Sequence, residues 1–455
     1  MNYGDLPKSV DHVATSSSTD ITSPGAYVLD DLTLGKIFDD GIGGPEFHQV
    51  IELHSRFTSI SISQSLAEPF MTLIIGVSDA TQIFERLGSK GLQGEEFIKI
   101  KLYSPGRDPI DLLFHVTAIT PMISDDHQKT NFFNLICTTK EKLINDISNV
   151  NKFFSATAAD CAQNIWDNNI LGHPKYKMLK TLKGIDWKDR EFFNSASVGL
   201  QDFIIPGLQI DGAMQWLAAK AYGGPDYPGS LYYFFENNLG FHFCNIETYI
   251  AINKGSGRSF TYNPQQNAHN PKAISQLASI QHISGLSIPG TTERLNNGTF
   301  SHSVRSVDLI DKKHSDKNFN MEENFDSFQK PGNIFNTSAK FFKEIGKYSK
   351  GEYLVIKDST LKENNIEKIV GARRAYTDLL NGFKLSITVY GDSELNVGDV
   401  IEINLVESGT SGDRTQSIYS GSWLVQALTH VCDNEKFNTT LSLSKGGLEH
   451  VQTKI

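Results

Sequence analysis

The sequence predicts a β-rich α+β protein in which one antiparallel β unit occurs near each end of the chain, around a mixed α+β middle. Three observations carry that prediction. The 455 residues include 28 Phe, 15 Tyr and 37 Gly, a composition that suits half-buried pleated surface and its turns. Apolar and polar residues alternate with period two through most of 47–140 and again through 383–447, as strands with one buried face do. Four strands of the first stretch also recur in the same order in the second.

Residues 1–45 are polar and broken by turn-forming runs such as VATSSSTDITSPG and DDGIGGPE, and they read as an N-terminal arm with AYVL and LTLGKIF as docking points. The first β unit is expected over 46–150. FHQVIELHSRFTSISISQSL and FMTLIIGVSD alternate, and GEEFIKIKLYS places Ile98, Ile100 and Leu102 on one face with Lys99 and Lys101 on the other. LLFHVTAIT and NFFNLICTTK complete a meander.

Residues 151–310 form an α+β insertion. Ala158, Cys161, Ala162, Ile165 and Trp166 follow helical spacing with Ser155 as N-cap. IDGAMQWLAAKAYGG predicts a second helix capped by Asp211 and stopped by Gly223-Gly224. A hairpin is expected around Asn238-Leu239-Gly240. Residues 311–364 read as a polar excursion, with SAKFFKEIGKY a short helix, and the second β unit is expected over 365–455.

The repeat is read by laying the two units side by side. FMTLIIGVSD answers FKLSITVYGD, and GEEFIKIKL answers GDVIEINL with the same Ile-x-Ile-x-Leu core. LLFHVTAIT answers WLVQALTHV, and NFFNLICTTK answers FNTTLSLSKG. The first copy carries a helical insert, ATQIFERLG. Three such chains in a closed ring present six similar units on a threefold body.

Composition bounds the function. The length predicts two or three domains, and 39% apolar with 21% charged residues is ordinary for a globular chain. A net charge of −10 argues against a phosphate-neutralising surface. The four cysteines, Cys137, Cys161, Cys244 and Cys432, have no metal or redox spacing and are expected to be buried thiols. The N-terminus lacks the basic and apolar regions of a secretory leader, and no apolar run reaches the roughly 18 residues of a membrane span. A soluble chain made in a cytoplasm is expected.

The order of these motifs resembles the baseplate central hub family of contractile phage tails, which includes the T-even-type hub, late-control protein D and the hub part of type VI valine-glycine-repeat spike proteins. LNVGDVIEINL, SGSWLVQALTHV, FNTTLSLSKGGL and FFENNLGFHFCNIETYI carry the resemblance, over roughly residues 46–447. It implies two tail-tube-like β-barrel domains flanking the insertion and a homotrimer, with tube or tube-initiator proteins on one face and a separate spike on the other. It also implies a channel through which DNA passes without specific binding, placement in a virion baseplate assembled in the host cytoplasm, and no stable membrane association.

Enzyme motifs are missing: the sequence has no GxSxG, HExxH or Walker A, and GSGRS at 255–259 lacks the Lys-Ser/Thr of a phosphate loop. Asp39-Asp40 and Asp125-Asp126 lie in turn-rich stretches, and the strand histidines, His115 and His430 among them, read as face residues rather than metal ligands. No catalytic, cofactor or metal residue is assigned. Lys99, Lys101, Glu402 and Asn404 are candidates for the channel lining or the domain seam, with plain solvent exposure as the other reading. Two further functions stay open: a β-rich glycan-binding or glycan-hydrolysing tail protein, and the same hub in a cellular contractile injection system.

Overall fold

A computed structural model describes residues 25–39, 44–79, 92–122, 131–185, 190–254, 258–262, 278–288, 290–296, 298–332, 351–357, 366–408 and 414–448. The segments ATQIFERLG and SAKFFKEIGKY, Asp40, the Asp125-Asp126 pair and the first three residues of GSGRS lie outside the described residues.

Period-two alternation becomes seven strands in the first unit: β1 (Val28–Asp39), β2 (Pro45–Glu52), β3 (Phe57–Ser65), β4 (Thr72–Asp79), β5 (Glu96–Tyr103), β6 (Ile110–Met122) and β7 (Asn131–Thr139). They pair antiparallel in the order β3-β4-β7-β6-β5-β1-β2. Ile60, Ile62, Leu73, Ile75, Ile98, Ile100, Leu135 and Cys137 are fully buried in one core, each aliphatic contributing about 1.5–3 kcal/mol over exposure. The arm read over 1–45 is corrected for its described part, residues 1–24 and 40–43 lying outside the described residues. Val28–Asp39 is a strand that caps the edge of β5, with Leu32 and Leu34 fully buried. Asp30-Asp31 and Gly35 interrupt its alternation and hide it in the sequence.

The middle contains helices α1 (Lys140–Asp146), α2 (Ala158–Ile165), α3 (Pro174–Lys180), α4 (Ile210–Lys220) and α5 (Ile246–Asn253). Thr157, not Ser155, caps α2, its side chain accepting from the Asp160 N–H. Asp211 lies inside the first turn of α4, whose N-cap is Gln209. Strands β8 (Asn149–Ala156) and β10 (Gln201–Gln209) form a ribbon. The expected hairpin is β11 (Tyr232–Glu236) and β12 (Gly240–Asn245), joined by β9 (Glu191–Asn194). Trp166 stacks on Phe192 beneath it.

Two more strands of this region, β13 (Ser259–Tyr262) and β14 (Ile280–Ser287), leave the insertion and join the second β unit. The polar excursion is also corrected. β15 (Ser301–Asp308), β16 (His314–Asn320) and β17 (Gly351–Lys357) make a three-stranded sheet. Met321, Phe325 and Phe328 enter a core shared with Tyr249 and with Tyr376 and Leu379 of α6 (Ile366–Leu380). Charged residues on the outer face of this sheet, such as Arg305 and Asp316, obscure its period.

The second unit comprises β18 (Phe383–Tyr390), β19 (Val400–Ser408), β20 (Arg414–Gln416), β21 (Gly421–Asp433) and β22 (Phe437–Lys445). Its ladder β18-β22-β21-β19 reproduces β4-β7-β6-β5, antiparallel throughout. A bulge falls between Val116 and Ala118 in β6 and between Val425 and Ala427 in β21. Ile98, Ile100 and Leu102 match Ile401, Ile403 and Leu405 in register. Gly94 and Gly398, each just before its strand, both have positive φ, 81° and 93°, which only glycine adopts without strain. In one detail the sequence alignment slips. Leu73, Ile75 and Val77 are equivalent to Leu385, Ile387 and Val389, so Phe70 does not answer Phe383.

The protein is therefore β-rich α+β, with large antiparallel sheet and few helices. Neither unit closes into a fully paired barrel among the described residues: β3, at the edge of the first ladder, pairs with β21 of the second, and in the second unit β13 meets the chain before β14 at a single bridge, Thr261 to Ser279. The two units and their added strands form a single 14-stranded sheet. No described helix is long and apolar enough to cross a membrane, and all four cysteines are buried and free.

The seam between the two β units as candidate functional site

The 13-residue strand β21 joins the units by serving both. Its first residues, Gly421–Leu424, pair with β19, and Ala427–Asp433 pair with β3. The change falls at the Val425/Ala427 bulge. A bulge adds twist and bends its strand, which lets β21 leave one ladder and enter another. Cys432 and Phe437 of the second unit are fully buried in the core of the first, so the seam is apolar on its inner face.

Its outer face is a band of hydroxyls. Register places Thr388, Thr440, Thr429, Ser63, Thr72 and Thr138 in one row across six strands and both units. Ser63 and Thr429 meet across the seam at 3.1 Å, and Thr388 and Thr440 at 3.3 Å. All six are half-buried, and none carries charge.

Polar clasps fix the seam at its ends. In the turn after β5, Ser104 donates its hydroxyl to the Gly391 carbonyl at 2.7 Å, and Ser393 donates to the Asp108 carbonyl at 2.7 Å. Arg107 reaches Glu394 at 3.1 Å and Asp392 at 3.6 Å, and Arg258 reaches the same carboxylates at 2.8 and 3.5 Å. Gln64 of β3 binds Asn238 of the insertion at 2.9 Å and accepts from the Val397 N–H at 3.2 Å. Asn238 in turn accepts from Arg190 at its carbonyl, 2.9 Å, and donates to the Ser393 carbonyl at 3.0 Å.

Beneath this junction Arg190 pairs with Glu236 at 3.1 Å, both almost fully buried. Glu236 also accepts from the Met71 N–H and the Thr139 hydroxyl. Burial pushes its carboxyl up to about 7 against the pull of Arg190. Through the Met71 N–H and the Thr139 hydroxyl, Glu236 ties the insertion to the first unit, and losing its Arg190 partner would strand a buried charge.

The sequence candidates lie elsewhere. Lys99 is buried, ion-paired with Asp111, because its side of β5 is covered by a small core of Phe47, Phe97, Leu113 and Leu182. Lys101 reaches Asp30 at 3.1 Å. A cavity of about 280 Å³ beside them is lined by Asp31, Thr33, Phe47 and Asp111 among others. Glu402 is exposed, and Asn404 donates to Ser259 Oγ at 2.9 Å. Their equivalence as repeat positions holds, but the structure gathers none of the four at the seam. The clasp residues were missed because Arg107 and Glu394 are 287 residues apart. The only trace in sequence was a basic turn, SPGRD, in one unit and an acidic turn, GDSE, in the other. Among the described residues no three His, Cys, Asp or Glu side chains are grouped to hold a metal.

No family model matches this sequence, and no curated protein does. Solved structures do match. The 43 kDa tail protein of prophage MuSo2 from Shewanella oneidensis aligns over 92% of this chain and 99% of its own, with a TM-score of 0.52 at 8% identity. The fold is that of a phage tail protein. A tail protein from Neisseria meningitidis MC58 aligns over 91% and 97% at 12% identity, TM-score 0.48. A component of the type VI secretion system of E. coli aligns over 92% and 76% at 9% identity, TM-score 0.40. The chain spans almost the whole of the MuSo2 tail protein, so the shared fold includes both β units and the insertion between them.

Proposed function

We propose that this chain is the structural hub of a contractile tail baseplate. Three copies close a ring whose six β units form a pseudo-sixfold face, stacking on a sixfold tail tube, while the insertions present a threefold face to a separate spike. The observation that carries this reading is the duplicated ladder fused edge to edge into one sheet. Such a chain places two equivalent units in fixed orientation, which is what a threefold body needs to meet a sixfold one.

The channel wall in this reading is the outer face bearing the Thr388-to-Thr138 row, with the exposed Lys384 of β18 at its margin, in place of Lys99, Lys101, Glu402 and Asn404. A row of hydroxyls without cations gives phosphates little counterion-release gain, so DNA passes without being held. The work is symmetry matching, with no chemical turnover.

Light scattering of the purified chain, alone and with tube and spike proteins, tests the proposal. A species of about 150 kDa, three chains in a closed ring, is expected. A chain that stays single with both partners present would end it.

A further inference from the structure

The internal seam has two unfilled counterparts, one along β14 at the end of the sheet and one along the second half of β6. β14 lies antiparallel on β18 as β3 lies on β4, so β14 is a fifth repeated strand. Its register makes Leu286 the equivalent of Ile62, since Leu286 faces Leu385 as Ile62 faces Leu73. By the same step Ser287 is equivalent to Ser63.

The far edge of β3 is covered by β21. β13 bridges only the residue before β14, Thr261 to Ser279, and beyond that point the far edge of β14 has no strand on it among the described residues. The side chains record the difference: Ile62 is 0% exposed and Leu286 38%; Gln64 is 2% exposed and its counterpart Ile288 54%. The other half of the seam shows the same contrast. In β21 the segment after the bulge pairs on both sides, with β22 and β3. In β6 the segment after the matching bulge pairs only with β7. Leu428 and Thr429 are buried and half-buried, whereas their counterparts Ile119 and Thr120 are half-buried and exposed.

An uncovered strand edge bearing exposed aliphatics is a pairing surface. Here one chain carries both halves of a joint whose completed form it already contains. We propose that β14 of one copy pairs antiparallel with the second half of β6 in the next copy, repeating the β3–β21 seam between chains. The register follows: Thr429 faces Ser63 within the chain, so Thr120 faces Ser287 across the interface. The contact is head-to-tail, which closes a ring when the rotation returns to its start. This rests on the hub reading for the number of copies but not for the partner, which is this chain itself.

The test is the double variant Thr120→Cys/Ser287→Cys in the full chain under mild oxidation. A control, Ser63→Cys/Thr429→Cys, bridges the internal seam; directly opposed residues in an antiparallel pair lie within disulfide range. Both changed positions in the test pair are at exposed surface, so folding is retained. The expected result is covalent dimers and trimers on a denaturing gel, from the double variant and not from either single variant, while the control forms its bridge within one chain. Trimers by native mass that never cross-link, beside a control that does, overturn the β14–β6 joint and leave the hub reading standing. A chain that remains single with tube and spike proteins present overturns both.

Discussion

Lys99 and Glu402 hold the same place in the two units, yet one is buried in an ion pair and the other is exposed. The ladders beneath them match strand for strand. What differs is the cover. In the first unit β1 lies along the edge of β5, and the Phe47–Leu182 cluster closes over its second face. In the second unit the short β13 pairs with β19 instead. The comparison separates two levels of information: the repeated ladder sets the architecture, and non-repeated segments decide each residue's environment.

The strongest way to break that comparison is through the cores. Phe114 and Trp423 are equivalent and both fully buried, so Phe114→Ala and Trp423→Ala are each expected to cost about 3–5 kcal/mol. Because Cys432 and Phe437 of the second unit pack in the core of the first, either variant should lower one common calorimetric transition. Two transitions, with only one displaced by each variant, would mean that the units melt independently.

Cover predicts a smaller and unequal effect. Asp111→Ala removes the partner of a buried ammonium and is expected to cost about 3 kcal/mol in denaturant unfolding. Glu402→Ala at the exposed equivalent of Lys99 should stay within about 0.5 kcal/mol. Equal costs would show that cover does not decide the outcome.

The smallest contrast is in pH. Glu96 and Asp399 are equivalent. Burial pushes Glu96 up, but the N–H groups of Gln93 and Gly94 and the Lys36 ammonium outweigh it and hold the carboxyl below its usual range. Asp399 has Arg258 and the Asn396 N–H, yet burial carries it up to about 6. Stability from Glu96 is present above the ordinary carboxylate range and is lost as pH falls through its lowered value. Stability from Asp399 is present at low pH and is lost as pH rises through about 6. Glu96→Gln should therefore lower the melting midpoint more at pH 7 than at pH 4. Asp399→Asn should be more favourable at pH 8 than at pH 5, and a pH-independent effect of either would refute its assignment.

Much of the ladder was legible in the sequence because period-two alternation, a Gly before the strand and Ile-x-Ile-x-Leu are local. Register was less so: matching Phe70 to Phe383 shifted one strand by a residue, and a one-residue shift exchanges its faces. Lys99 read as solvent-facing because alternation divides a strand into two faces without saying whether the second is covered. The seam was illegible for a further reason. Its backbone pairing joins Ala427–Asp433 to Ser59–Ser65, and its clasps join turns from opposite ends of the chain. No local pattern encodes which edge of one repeat meets which edge of the other.

The central claim is that two equivalent units in each chain build a pseudo-sixfold ring on a threefold body. The most direct measurement is electron-microscopic class averages of the purified assembly viewed down its axis. The account predicts six near-equal lobes around a central hole at one end and three at the other. Three lobes at both ends, or a compact single chain without a hole, would contradict it.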